Sequence, residues 1–143
     1  MRTRHRTAAA CEVALLCFTI ACQSADDRPA RWSYLHAATI APSCATSGCH
    51  STLTAIAGVN LSDKDGAYTV LTGRICGQSA RPQDPPRNYV TPYSSEYSQL
   101  IYQLRGADDK GRPYRNVMPP DAALPEVEID LIARWIDEGA RCD

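Results

Sequence analysis

The sequence predicts an all-α protein with long loops. The chain has 143 residues, of which 44% are hydrophobic and 22% charged, a composition typical of one globular domain and not of a disordered chain. Apolar residues recur at helical spacing in several segments, and no segment alternates polar and apolar residues as a half-buried strand would. The formal net charge of −1 provides no basic excess to neutralise phosphates, so no nucleic-acid partner is expected.

Residues 1–21 have the pattern of a secretory signal peptide. Three arginines among the first six residues precede an apolar stretch that ends at Ala21 and is too short to span a bilayer. The last four residues before the polar part of the chain, Thr-Ile-Ala-Cys, resemble a bacterial lipobox, in which the cysteine becomes lipidated. We therefore expect removal of residues 1–21, lipidation of Cys22 and a linker over residues 22–31. An ordinary cleaved signal is the alternative.

Two short helices are predicted in the first half of the remaining chain. Residues 32–40 place apolar side chains on one helical face, and Pro42 is expected to end this helix. Ser62 or Asp63 can cap a second helix over about residues 64–71.

Two further helices are predicted in the second half. A third helix over about residues 94–104 has a single apolar stripe. The last helix begins at Pro125, carries glutamates near its positive end and stops before Gly139. Residues 74–92 and 107–123 are rich in proline, glycine and polar side chains, so they are predicted to be loops.

A Cys-x4-Cys-His motif formed by Cys44, Cys49 and His50 indicates haem attachment. In c-type haem proteins two thiols add to the vinyl groups of the ring, and the histidine after the second cysteine binds the iron. The spacer here has four residues, whereas the usual spacer has two. Two alternatives stay open: a Cys44–Cys49 disulfide with His50 on the surface, and a zinc site, for which no second Cys/His cluster at finger spacing is present.

Met118 is the candidate for a second iron ligand. The chain has two methionines, one of them the initiator, so Met118 is the only thioether after the leader. It lies outside any periodic segment, and Pro119 and Pro120 would stiffen the loop that carries its sulfur. The ordinary role of a methionine is to fill a core. His36, the other histidine after the leader, is predicted at the helix surface or at the haem edge.

The order of these motifs resembles the small cytochrome c-like domains of the planctomycete and myxobacterial type, which often occur on exported lipoproteins. The resemblance covers about residues 32–140. It depends mainly on the haem motif, on Met-Pro-Pro and on the Trp-Ile-x-x-Gly-Ala sequence of the last helix. It implies a cytochrome c-like domain over residues 32–143, with a class I-like cytochrome c fold of about four helices around one covalently bound haem.

The same resemblance implies the role of each site residue. Cys44 and Cys49 would carry the thioether bonds of haem c, His50 would bind the iron on the proximal side and Met118 on the distal side. Trp135 would pack where the first and last helices cross. Such a protein carries single electrons between redox partners and is not an enzyme, because both axial positions of the iron are filled.

Export also determines the expected location and the state of the remaining cysteines. Gln23 follows Cys22, which by resemblance to lipoproteins favours the outer membrane, facing the periplasm, with the lipid as the only membrane attachment. Once the anchor and haem cysteines are assigned, Cys76 and Cys142 remain in an oxidising compartment, so a disulfide between them is predicted. The alternative function is a haem-free exported lipoprotein that acts as a binding or interaction module, with its motif cysteines joined.

Overall fold

The computed structural model describes residues 27–78 and 89–143, and within these ranges the protein is helical. The predicted all-α class is confirmed, since the described ranges contain no strand and only one isolated β-bridge. The signal peptide and residues 22–26 of the predicted linker, Cys22 included, lie outside the described residues. Within the described ranges, no helix is both long and apolar enough to cross a bilayer. The four helices are α1, built from three consecutive segments over residues 32–44, α2 (Lys64–Thr72), α3 (Gln99–Arg105) and α4 (Glu126–Asp137).

Helix α1 is longer than the sequence predicted. It consists of an α-helical turn, Trp32–Leu35, a π-helical turn, His36–Ile40, and a second α-helical turn, Ala41–Cys44. The prediction that Pro42 ends the helix was wrong. Pro42 lies in the first turn of the last segment, where a proline is tolerated, and the wider π turn precedes it. As a result, α1 ends at Cys44, the first residue of the haem motif.

Helix α2 agrees with the prediction to within one residue. The side chain of Asp63 caps it, because Oδ2 of Asp63 accepts a hydrogen bond of 2.7 Å from the backbone N–H of Gly66. Gly73 ends the helix at a φ of +68°, a conformation that glycine adopts without strain.

The third predicted helix, residues 94–104, is interrupted. A 3₁₀ turn, Ser95–Tyr97, is followed by the extended residue Ser98 and only then by α3. Ser98 is fully buried, and its hydroxyl accepts a bond from the N–H of Thr91 and donates one to the carbonyl of Ser94. These side-chain bonds compete with helical backbone bonds, which explains the break. Tyr97 consequently points away from the buried stripe and is 60% exposed.

An aromatic cluster joins α1, α2 and α4. The rings of Trp32 and Trp135 are stacked with their centroids 5.1 Å apart, and Tyr68 packs edge-on against both. The polar atoms of the three rings are also used, because the Tyr68 hydroxyl donates to the carbonyl of Ala140 and both indole N–H groups donate to backbone carbonyls. Trp135 therefore lies at the contact between the first and last helices, as the family resemblance implied.

The chain segment before α1 is attached to α4. Arg28 donates a hydrogen bond of 2.5 Å to Oε1 of Glu128, and the hydroxyl of Thr39 donates one of 2.8 Å to the other carboxylate oxygen. Ala30 packs against the core. Arg28, which lies within the predicted linker and before the predicted domain start at Trp32, is thus already packed on α4.

Glu128 is expected to make the stability of the fold depend on pH. Burial raises the pKa of its carboxyl, but the hydrogen bonds from Arg28 and Thr39 and the charge of Arg28 outweigh burial and hold the pKa below its usual 4.5. Because the folded-state pKa lies below the unfolded value, this stabilisation is present above the unfolded value and is lost as the pH falls through the folded value.

Glu128→Gln should lower the free energy of unfolding by about 1–2 kcal/mol at pH 7. The difference from wild type should shrink as the pH falls to 3, as measured by urea denaturation. The matched control is Glu126→Gln, since Glu126 makes a surface ion pair with Arg105 and should cost about 0.5 kcal/mol or less. A Glu128→Gln effect of equal size at both pH values would contradict the assignment.

A disulfide between Cys76 and Cys142 links the loop after α2 to the segment after α4. Their sulfur atoms are 1.93 Å apart, and 66 positions of sequence separate the two residues. A crosslink of this span stabilises a fold mainly by restricting the unfolded chain.

Non-reducing peptide mapping of the mature protein should yield one peptide pair joined through Cys76 and Cys142 that separates on reduction. Replacing both residues with serine should lower the free energy of unfolding by about 2–4 kcal/mol. Two free thiols at these positions in the unreduced, unfolded protein would refute the pairing.

Candidate functional site

The four predicted haem-binding residues line one apolar cavity. It encloses about 70 Å³. Cys44, Cys49 and His50 reach it from the end of α1 and the turn that follows, and Met118 reaches it from the loop between α3 and α4. The fold therefore unites two motifs that are distant in the sequence. The lining residues are Ser43, Cys44, Cys49, His50, Ile56, Met118, Pro119 and Pro120.

The haem motif forms a compact turn at the end of α1. The backbone N–H of Cys49 donates to the carbonyl of Thr46 at 3.0 Å, and that of His50 donates to the carbonyl of Cys44 at 3.1 Å. Both motif cysteines are half-buried free thiols, so the four-residue spacer is closed by backbone bonds and not by a disulfide. The predicted alternative of a Cys44–Cys49 disulfide is not formed in this structure.

The imidazole of His50 is oriented so that one ring nitrogen stays free for a metal. Its Nδ1 lies 3.2 Å from the carbonyl oxygen of Val59. A carbonyl only accepts, so in the neutral imidazole Nδ1 carries the proton and donates, and Nε2 keeps its lone pair. Metal-binding histidines in proteins are usually held by such a bond to a carbonyl or carboxylate. This arrangement fits an iron ligand.

Helix α3 fixes the position of Met118. The backbone N–H of Met118 donates to the carbonyl of Gln103 at 2.9 Å. The preceding residue, Val117, packs against Gly106, where a Cβ atom would come within 3.3 Å of a valine methyl group. The absence of a side chain at Gly106 thus allows the methionine loop to lie close to the end of α3.

His36 does not occupy the position that the sequence suggested. It is 8% exposed, so it is not on the helix surface, and it does not line the cavity. Its Nε2 lies 3.0 Å from the carbonyl oxygen of Leu61. Because that ring nitrogen is already bonded inside the fold, His36 is a poor candidate to displace Met118 as a ligand.

The environment of Cys44 disfavours a nucleophilic cysteine. Burial, with a smaller contribution from Cys49, raises the pKa of the Cys44 thiol to about 11. Catalytic and redox-active cysteines depend on a lowered pKa, because the thiolate is the reacting form. Cys44 is therefore a protonated thiol at neutral pH.

The motif residues do not form a compact metal site. Among the described residues, one group of three potential ligands, Asp65, Cys76 and Cys142, has its ligand atoms within 4.8 Å of one another, and two of these residues share the disulfide. A structural zinc needs four donors around a single point. A haem needs its sulfurs at the ring edge and its histidine at the ring centre, so donors that do not converge fit haem better than zinc.

The cavity as it stands is smaller than a haem pocket. Sites for cofactor-sized molecules are typically several hundred Å³ in volume. A haem needs more room than this cavity provides. Ile56 is 46% exposed and belongs to a single 3₁₀ turn, Ile56–Gly58.

Sequence reasoning missed the residues that orient His50. The sequence did not single out Val59 or Leu61, although both are buried and their carbonyls accept the bonds from His50 and His36. Two apolar residues that alternate with Asn60 after the haem motif were the available signal. Ile56 carried no periodic signal at all.

Comparison with protein-family models, curated proteins and solved structures found no match for this chain.

Proposed function

We propose that this protein is a monohaem c-type cytochrome with a class I-like fold that carries single electrons at the cell envelope. The observation that carries the proposal is the meeting of Cys44, Cys49, His50 and Met118 around one apolar cavity. Two free thiols, an imidazole with an available Nε2 and a thioether are the donor set that a covalently attached, His/Met-ligated haem requires.

When bound, haem c supplies a reversible one-electron change at its iron. The chain's own residues hold and tune the ring. Cys44 and Cys49 would fix its edge, His50 would be the proximal ligand and Met118 the distal ligand. Because both axial positions are then occupied, oxygen or peroxide activation is not expected, and the protein acts as a carrier and not as an enzyme.

The surroundings of the site favour a high reduction potential. Ile56, Pro119 and Pro120 give one side of the cavity an apolar lining. Burial disfavours the more highly charged ferric state, and a neutral thioether also stabilises ferrous iron relative to a second imidazole. Both effects act in the same direction.

A haem-free binding or interaction module is the second candidate. The observation in its favour is the size of the cavity, about 70 Å³, which is below that of a cofactor pocket. Against it, this function was expected to join Cys44 and Cys49 in a disulfide, whereas the structure has both as free thiols.

We further propose that the protein is exported and anchored by lipid on Cys22, facing the periplasm and attached to the outer membrane. Support comes from the sequence of the leader. Because Arg28 is packed on α4, the chain between Cys22 and Arg28 can separate the lipid from the domain by roughly 20 Å at most. The lipid would therefore hold the domain close to the bilayer.

Replacing Cys44 and Cys49 together with serine should abolish covalent haem. Cells that express a c-haem maturation system should yield a colourless double variant whose mass equals that of the polypeptide. The matched control replaces Cys76 and Cys142, which should retain the haem while losing stability. Covalent haem in the Cys44/Cys49 variant would refute the attachment site.

Met118→Ala should open the iron to external ligands. Carbon monoxide should then bind to the ferrous protein and cyanide to the ferric protein, as followed by visible absorption, whereas wild type should resist both. Met118→His should keep a six-coordinate low-spin iron and lower its reduction potential. Val117→Ala serves as the control, because it changes the same loop without touching the sulfur. A Met118→Ala variant that matches wild type in spectrum and ligand binding would exclude Met118.

Cys22→Ser should move the exported protein from the membrane fraction to the soluble fraction. Globomycin, which blocks the lipoprotein signal peptidase, should cause the precursor of the wild-type protein to accumulate. The control is Cys17→Ser. Because Cys17 lies before the cleavage site, its replacement should leave the membrane anchoring unchanged. Membrane attachment that survives Cys22→Ser would show that the lipid is not the anchor.

A further inference from the structure

We propose that His36 is a positioning residue that fixes the orientation of His50 through residues 59–61. The inference rests on the proposed function only for its effect at iron, because the bonds that carry it belong to the protein itself. His36 lies in the π turn of α1 and has no place in the cavity. Its influence on the site therefore has to pass through a neighbouring segment of backbone.

A chain of three hydrogen bonds connects the two histidines. Nε2–H of His36 donates to the carbonyl of Leu61 at 3.0 Å, and the N–H of Leu61 donates to the carbonyl of His50 at 2.7 Å. Nδ1–H of His50 then donates to the carbonyl of Val59 at 3.2 Å. Leu61 is thus held at its N–H and at its carbonyl, and the acceptor for the His50 ring lies two residues before it.

The ring of His36 is itself fixed in place. It lies 5.6 Å, centroid to centroid, from the ring of Trp32, which is in turn stacked on Trp135 in the core. The bond from His36 to Leu61 is buried, so without His36 the carbonyl of Leu61 loses its donor in a place where burial makes an unpaired carbonyl unfavourable. The bond from the fixed His36 ring therefore restricts the movement of residues 59–61 relative to the core.

Other bonds hold the same stretch. Within it, the N–H of Val59 donates to the carbonyl of Ile56 at 3.1 Å, and Oδ1 of Asn60 accepts a bond from the N–H of Ser62. Two further bonds act beyond Leu61. The N–H of Thr52 donates to the hydroxyl of Ser62, and the indole N–H of Trp32 donates to the carbonyl of Lys64. Among the side-chain bonds of the described residues, the bond from His36 is the one that anchors Leu61 to α1. Because the backbone bond of Val59 ends in the Ile56–Gly58 turn and not in α1, loosening the bond from His36 should let Val59 shift and weaken the bond that orients His50.

The expected consequence at a bound iron has a defined direction. A hydrogen bond donated by the second ring nitrogen raises the basicity of a metal-bound histidine. A more basic ligand stabilises ferric iron, so weakening the bond from His50 to Val59 should raise the reduction potential. If His36 had a purely structural role, its replacement would lower the stability of the fold and leave the reduction potential unchanged.

The test compares three variants of the mature protein, in the state in which it is isolated, with wild type. His36→Leu removes the donor, and His36→Gln restores an N–H at a similar reach. Thr39→Val is the matched control, because Thr39 is a buried polar residue of the same helix whose bond goes to Glu128. The readouts are the exchange rate of the His50 Nδ1 proton by NMR and, where haem is attached, the reduction potential.

The proposal predicts exchange about tenfold faster in His36→Leu, as expected for the loss of one hydrogen bond. It also predicts a higher reduction potential, with both quantities restored in His36→Gln and unchanged in Thr39→Val. Unchanged exchange and potential in His36→Leu would overturn it, as would equal changes in Thr39→Val. If His36→Leu does not fold, His36→Asn, whose amide is too short to reach Leu61, replaces it under the same criteria.

Wild-type protein provides an independent test. The ring nitrogens of His36 in a ¹⁵N-labelled sample at pH 8 must show the proton on Nε2, and a proton on Nδ1 alone would overturn the proposal without any variant. Failure of the haem assignment is distinguishable from failure of this inference. If the protein is colourless but His36→Leu still speeds exchange of the His50 ring proton, haem binding is refuted and the link between the two histidines is supported. If the protein carries haem but His36→Leu leaves that exchange unchanged, haem binding is supported and the link is refuted.

Discussion

The stacking of Trp32 on Trp135 is the contact on which the rest of the structure depends. It joins the start of α1 to α4, and Tyr68 extends the cluster to α2. Because α1 continues from Trp32 to the haem motif, this contact also fixes the position of Cys44 at the end of α1. Aromatic pairs of this kind add about 0.5–1.5 kcal/mol beyond the area they bury, and a domain of this size has few other large side chains to replace them.

Two segments of the chain, both positioned by the packed helices, form the candidate site. On one side, the π turn and Pro42 extend α1 until it reaches Cys44, and backbone bonds close the turn to His50. On the other side, the end of α3 holds the loop of Met118 through the carbonyl of Gln103. Neither part provides all four donors on its own, so the donor set exists only when both helices are packed.

The sequence was sufficient for the all-α class and for helices α2 and α4, whose caps and apolar stripes are local signals. The sequence also identified Cys44, Cys49, His50 and Met118 as one set of candidate haem-binding residues, because each lies in a motif of unusual composition. It failed at α1 and at the third helix, where Pro42 and Ser98 behave according to contacts that no local pattern reveals. The burial of His36 was missed for the same reason, since its partner, Leu61, lies in another segment.

The most direct test of haem attachment is the intact mass and visible spectrum of the mature protein made in cells with a c-haem maturation system. We expect a mass equal to the polypeptide plus one haem, retained after acid-acetone extraction, and a reducible low-spin spectrum. A colourless protein with the mass of the polypeptide alone, and with Cys44 and Cys49 joined in a disulfide, would contradict the proposed function.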